Sequence, residues 1–114
     1  MKKKFCLAAL GLMLLTACGQ DKLVGMWVQP IAGQETKSQG ILLRKDGSAS
    51  SINMNTLLYE TWKRNGDLLI LTGKSVGNGQ VINISEEYKI KHLDDVSLEL
   101  QMGDFVAVYT RKNN

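Results

Sequence analysis

The chain of 114 residues is poor in the groups that usually announce a chemistry: one histidine, one proline, two cysteines, and 6% aromatic residues. With His92 as the single imidazole, a Ser-His-Asp arrangement has no other base to use, and its neighbours Lys91 and Leu93 read as a strand end rather than a cleft. His92 with Asp94 and Asp95 could supply an imidazole and two carboxylates, but a closed structural zinc centre takes four ligands, and no metal, cofactor or enzymatic activity is expected. Long apolar runs are missing too. The longest, residues 5–15, is shorter than the about 20 residues that span a bilayer. It follows Lys2, Lys3 and Lys4, and together they match the charged and apolar regions of a secretory signal.

Both cysteines are accounted for outside the folded part. Cys6 lies in that signal, and Cys18 closes the block Leu15-Thr16-Ala17-Cys18, which resembles the lipobox at which bacterial lipoprotein precursors are cut. The resemblance implies cleavage after Ala17, a diacylglyceryl thioether on Cys18 and N-acylation, with palmitate-type chains tethering the protein to a membrane. Two or more chains hold stably where one holds marginally. Gly19, rather than aspartate, follows the cysteine; by the sorting rule of many Gram-negative lipoproteins this points to the outer membrane. The expected organisation is a cleaved signal over 1–17, a lipidated N-terminus and short leader over 18–22, and one domain over 23–114.

Loss of the signal removes three of the fourteen Lys+Arg, leaving eleven against eleven Asp+Glu. The basic pairs that remain, Arg44-Lys45, Lys63-Arg64 and Arg111-Lys112, are scattered. A nucleic-acid binder would carry a clustered basic surface, so no nucleic-acid partner is expected. No cysteine pair is left to form a disulfide, even in an oxidising compartment. Packing alone must hold the domain.

What the chain does have is short β-type segments between turn residues. Strands are expected over 23–28, ended by Pro30, and, after a polar loop over 32–39, over 40–44 and 48–53 about a Lys45-Asp46-Gly47 turn. A longer strand over 57–64 carries Tyr59 and Trp62, and Asn65-Gly66 turns it into the continuous apolar run 68–71, which reads as buried on both sides or as an end plug. Gly77-Asn78-Gly79 leads to strands over 81–84 and 88–93, with Glu86-Glu87 read as a solvated turn between them. Asp94-Asp95 and Gly103-Asp104 bracket an alternating strand over 98–102, and 105–111 closes the chain. About eight strands without a helical period imply an antiparallel meander. Closing it removes exposed edges, so the expected fold is all-β, a small up-and-down barrel.

Two resemblances sharpen this. Gly25-Met26-Trp27 resembles the G-x-W on the first strand of lipocalins and related calycins, and Tyr109-Thr110-Arg111 resembles the closing strand of small bacterial lipocalin-like lipoproteins. The resemblance implies that Arg111, or failing that Lys112, packs across Trp27 and closes one barrel end, an arrangement worth roughly 0.5–2 kcal/mol. Gly40 to Gly47, Tyr59 to Trp62 and Gly66 to Leu71 are similar to the N-terminal barrel of an outer-membrane lipoprotein linked to copper resistance and envelope stress; that family's C-x-x-C pair is missing here. Tyr59, Trp62, Tyr88 and Phe105 are the candidates to line a ligand site. The function these observations point to is binding of a small apolar or amphipathic molecule in the cell envelope; the alternative is a non-enzymatic interaction or stress-sensing protein whose outer surface meets an envelope protein partner.

Overall fold

The computed structural model describes residues 21–113; the signal, Cys18 and Gly19 lie outside them. Eight strands follow one another: β1 (Gly25–Ile31), β2 (Gln34–Leu43), β3 (Ala49–Ile52), β4 (Leu57–Asn65), β5 (Leu68–Gly77), β6 (Gln80–Leu93), β7 (Ser97–Met102) and β8 (Phe105–Lys112). All pair antiparallel in the order β3-β2-β1-β8-β7-β6-β5-β4. The meander curls until β3 meets β4, giving a nearly closed barrel.

The sheet curls because two glycines let neighbouring backbones nearly touch. A Cβ at Gly40 would lie 1.8 Å from the Trp27 carbonyl oxygen, and one at Gly73 would lie 2.1 Å from that of Leu58. At Gly73 the approach coincides with a register shift between Tyr59 and Thr61, where β4 bends. Bulges increase the local twist of the bulged strand. The β5–β6 turn uses Asn78 and Gly79, both at positive φ (51° and 72°), as a two-residue turn between right-twisted strands requires.

Several sequence expectations change in detail. Residues 32–39 are not a loop: β2 begins at Gln34, and its mouth-side part lacks apolar residues because it packs no core. Pro30 does not end β1, which runs to Ile31 with a register shift between Pro30 and Ile31. The β1–β8 ladder covers three pairs only, Met26–Lys112, Trp27–Arg111 and Val28–Thr110. Pro30, which has no N–H to offer a partner, follows just beyond its last pair. Glu86-Glu87 is not a turn but the middle of the 14-residue β6. The run 68–71 is not buried on both sides, since Leu69 and Leu71 are buried while Leu68 and Ile70 are half-buried.

The inward faces fill one half of the barrel with Leu23, Trp27, Ile41, Leu43, Ala49, Leu69, Leu71, Leu98 and Leu100. Each fully buried Leu or Ile contributes about 1.5–3 kcal/mol. This is the closed end. Arg111 lies over Trp27, its guanidinium carbon 4.2 Å from the ring centroid. The same guanidinium donates to the carbonyls of Lys22 (2.6 Å), Val24 (2.8 Å) and Asp95 (2.7 Å), and the Trp27 indole donates to Leu23 O (2.9 Å). Asp21 joins the plug by accepting from Arg64 at 2.8 Å.

The β3–β4 seam is closed differently. The Ser51 hydroxyl donates to Leu57 O (2.5 Å) and accepts from Tyr59 N–H (2.9 Å), standing in for a ladder pair. Nearer the closed end, Trp62 N–H donates to Gly47 O (2.9 Å).

Candidate functional site

The open half of the barrel has a different lining. Residues 82, 84, 86, 88 and 90 share one face of β6, and that face is inward: Glu86 pairs with buried Leu71, and Tyr88 with buried Leu69. Glu86 is therefore a carboxylate set into an apolar stripe of Ile82, Ile84 and Ile90. From β4, Tyr59 points inward and is 8% exposed.

Two phenols converge on this carboxylate. Tyr59 donates its hydroxyl to Glu86 Oε1 at 2.6 Å, and Tyr88 donates to the same oxygen at 2.9 Å. Burial, then the bond to Glu86, holds the Tyr59 hydroxyl well above the range of a free phenol. Burial and the same bond push Tyr88 up to about 12. Tyr109 on β8, across the ladder from Leu98, is raised by burial first and by the Glu86 charge second. These are the chain's three tyrosines, gathered around one acid. At neutral pH they are protonated donors, and Glu86 Oε2 receives no bond from any described residue.

Above the cluster, Leu57 and Ile84 are half-buried against the core, and inward-face residues at the strand ends form an apolar rim: Ile82 (56% exposed), Met102 (41%) and Phe105 (62%). Of the four candidate lining residues, Tyr59 and Tyr88 meet at Glu86. Phe105 stands at the rim. Trp62 is directed elsewhere: its indole donates to Arg44 O at 2.7 Å, beside the β2–β3 turn at the closed end. Trp27 and Arg111 stack at the plug as described above.

Glu86 is the residue that sequence reasoning passed over. The signal was present in its spacing, since Ile82, Ile84, Glu86, Tyr88 and Ile90 occupy alternate positions, so a strand with that inward face must carry the acid inside. The other acidic pair does form a turn. Asp94 accepts from Val96 N–H, Ser97 N–H and the Ser97 hydroxyl, and lies 2.7 Å from His92 Nε2. The Ser97 hydroxyl thus meets the aspartate rather than the histidine. Among the described residues no group of three or more His, Cys, Asp or Glu could hold a metal ion.

On the outer wall, a shallow groove of about 300 Å³ runs beside the point where β1 and β8 separate, lined by Val28, Pro30, Thr36, Lys37, Ser38 and Thr110, among others. Val108, 56% exposed, lies on the same outward face of β8 as Thr110.

An eight-stranded antiparallel meander, plugged at one end by an arginine over a first-strand tryptophan and lined at the other by polar and aromatic groups, defines a small lipocalin-type barrel. A family model described as lipocalin-like matches residues 19–112. The chain belongs to that lipocalin-like family. It is similar to a lipocalin-like protein from Bacteroides thetaiotaomicron whose crystal structure aligns with a TM-score of 0.76 and 46% identity, over 80% of this chain and 97% of that one. No curated protein matches the chain.

Proposed function

We propose that the protein is a binding module of the bacterial cell envelope, tethered through lipid on Cys18, most simply in the outer membrane, and holding a small apolar or amphipathic molecule in the open half of its barrel. The observation that carries this reading is the Tyr59–Glu86–Tyr88 cluster, which sits beneath an apolar rim where the closed half has only packed core. Ligand sites combine apolar lining with a few placed polar groups. The protein acts by holding its ligand; no covalent chemistry is needed. Asp21 to Leu23 belong to the closed-end plug, and Cys18 is three residues before Asp21. A lipid there would turn the plug towards the membrane and the mouth away from it.

Native mass spectrometry of protein purified gently from the envelope tests ligand binding. A small-molecule adduct lost on Tyr59→Ala is expected; a bare mass that titrates with no lipid or amphiphile would refute it. Palmitate labelling tests the anchor, with incorporation expected in the native chain and none in Cys18→Ala.

A second reading, contact between the outer wall and another envelope protein, is favoured by the groove at Pro30 and by exposed Val108. Photo-crosslinking in intact cells from position 108 distinguishes it. A discrete heterologous adduct supports this reading, and a monomer throughout removes it.

A further inference from the structure

The charge inside the barrel is one-sided in a way that specifies more than apolar binding. From the closed end up to the Gln29–Gln39 pair, the inward strand positions of the described residues carry three charged side chains: Arg64, Arg111 and Glu86. Both arginines are engaged at the plug, Arg64 with Asp21 and Arg111 with Trp27 and three carbonyls. Lys37 continues the alternation of Ile41 and Gln39 at the exposed mouth end of β2 and forms no ion pair with Glu86. Glu86 takes part in no ion pair with a described residue, and both phenols that reach it bond to Oε1. The result is an unpaired carboxylate oxygen in the open half, beside the hydroxyls of Tyr59 and Tyr88 that bond Oε1 and with Ile82, Met102 and Phe105 at the mouth.

We propose that the open half of the barrel selects amphipathic cations: molecules with a protonated amine that docks on Glu86 and an apolar tail that lies along the rim. The inference rests on the ligand-binding reading above and names its ligand class. An ammonium group supplies the donor that Oε2 lacks and the opposite charge, and bonds between ionised partners are roughly twice as strong as neutral ones. A carboxylate-headed amphiphile meets the reverse. It would bring a second negative charge against Glu86, and the tyrosine hydroxyls nearest to it are already donated.

Calorimetric titration of the purified protein at neutral pH with octylamine, octanol and octanoate tests this, because the three share a tail and differ in the head. Octylamine is expected to bind at least about tenfold tighter than octanol, the scale of one charge-assisted bond, with octanoate weakest. Glu86→Gln keeps an oxygen acceptor for both phenols and removes the charge, so octylamine and octanol are expected to bind that variant equally. Tyr88→Phe, which keeps the carboxylate, is expected to retain the preference. It also provides a reading if Glu86→Gln fails to fold. Equal binding of amine and alcohol, a preference that survives Glu86→Gln, or one lost in Tyr88→Phe overturns the selectivity and leaves ligand binding standing. Failure of all three compounds to bind overturns both.

Discussion

Replacing Ser51 with alanine removes one hydroxyl, yet the structure assigns that hydroxyl the work of a ladder pair. It joins β3 to β4 by donating to Leu57 O at 2.5 Å and accepting from Tyr59 N–H at 2.9 Å. Alanine would strand a carbonyl and an amide at a half-buried seam. Each stranded buried group costs about 1–3 kcal/mol, and partial access to water places the sum near the lower end, about 2–3 kcal/mol. For a domain of this size each kcal/mol lowers the melting temperature by about 4–8 °C, so a fall of roughly 10–20 °C is expected. Urea unfolding followed by circular dichroism measures the loss, and hydrogen exchange locates it, with the Tyr59 amide losing protection first. Ser50→Ala is the control: Ser50 lies on the opposite face of β3, across the ladder from Leu42, and should change stability by no more than about 0.5 kcal/mol. If Ser51→Ala behaves like that control, with the Tyr59 amide still protected, the seam is held by something other than this hydroxyl and the reasoning fails.

Three further outcomes follow from the plug, the bend and the tyrosines. Arg111→Met, which loses the stack on Trp27 and three bonds to carbonyls, is expected to cost roughly 2–4 kcal/mol, read by thermal unfolding; a loss under about 1 kcal/mol would mean that the plug is held by Trp27 alone. Gly73→Ala places a Cβ 2.1 Å from Leu58 O and 2.7 Å from the Tyr59 Cα, against backbone that cannot step aside, so it should cost about 3 kcal/mol or more and show as insoluble expression or a collapsed melting temperature. All three tyrosines have folded pKa values raised above 10, Tyr88 to about 12. Their contribution to stability is therefore complete below the unfolded value of about 10 and lost as pH rises through the folded values. Absorbance at 295 nm should show no tyrosine ionising near 10 until the protein unfolds.

The strand count and antiparallel connectivity were legible because turn chemistry punctuates this chain: Asp46-Gly47, Asn78-Gly79 and Gly103-Asp104 all fall in or beside turns of the structure. The Asn65-Gly66 signal was displaced by one residue, to Gly66-Asp67. The pairing of Trp27 with Arg111 was legible from the family resemblance rather than from periodicity. Residues 34–39 were hidden because hydrophobic alternation records burial, and a strand that leaves the core keeps its hydrogen bonds while losing that record. Glu86 was hidden for the opposite reason. An adjacent pair of acids reads as solvated, whereas in a strand such neighbours must part to opposite faces. Trp62 could not be assigned to either end of the barrel by spacing, because the β4 bulge between Tyr59 and Thr61 resets the alternation.

The two unequal seams divide the barrel wall. Strands β1, β2 and β3 form one leaf and β4 to β8 the other, each with continuous ladders inside it. Near the plug the leaves are joined on both sides, by the three β1–β8 pairs and by the Ser48–Thr61 bridge. Toward the mouth the β1–β8 ladder has ended before Pro30, and the facing seam rests on the hydroxyl of Ser51. Hydrogen bonding between the leaves is therefore concentrated at the plug, and toward the mouth it comes down to one side chain, so the girth of the opening depends on the softest contact in the wall as well as on the count of its strands.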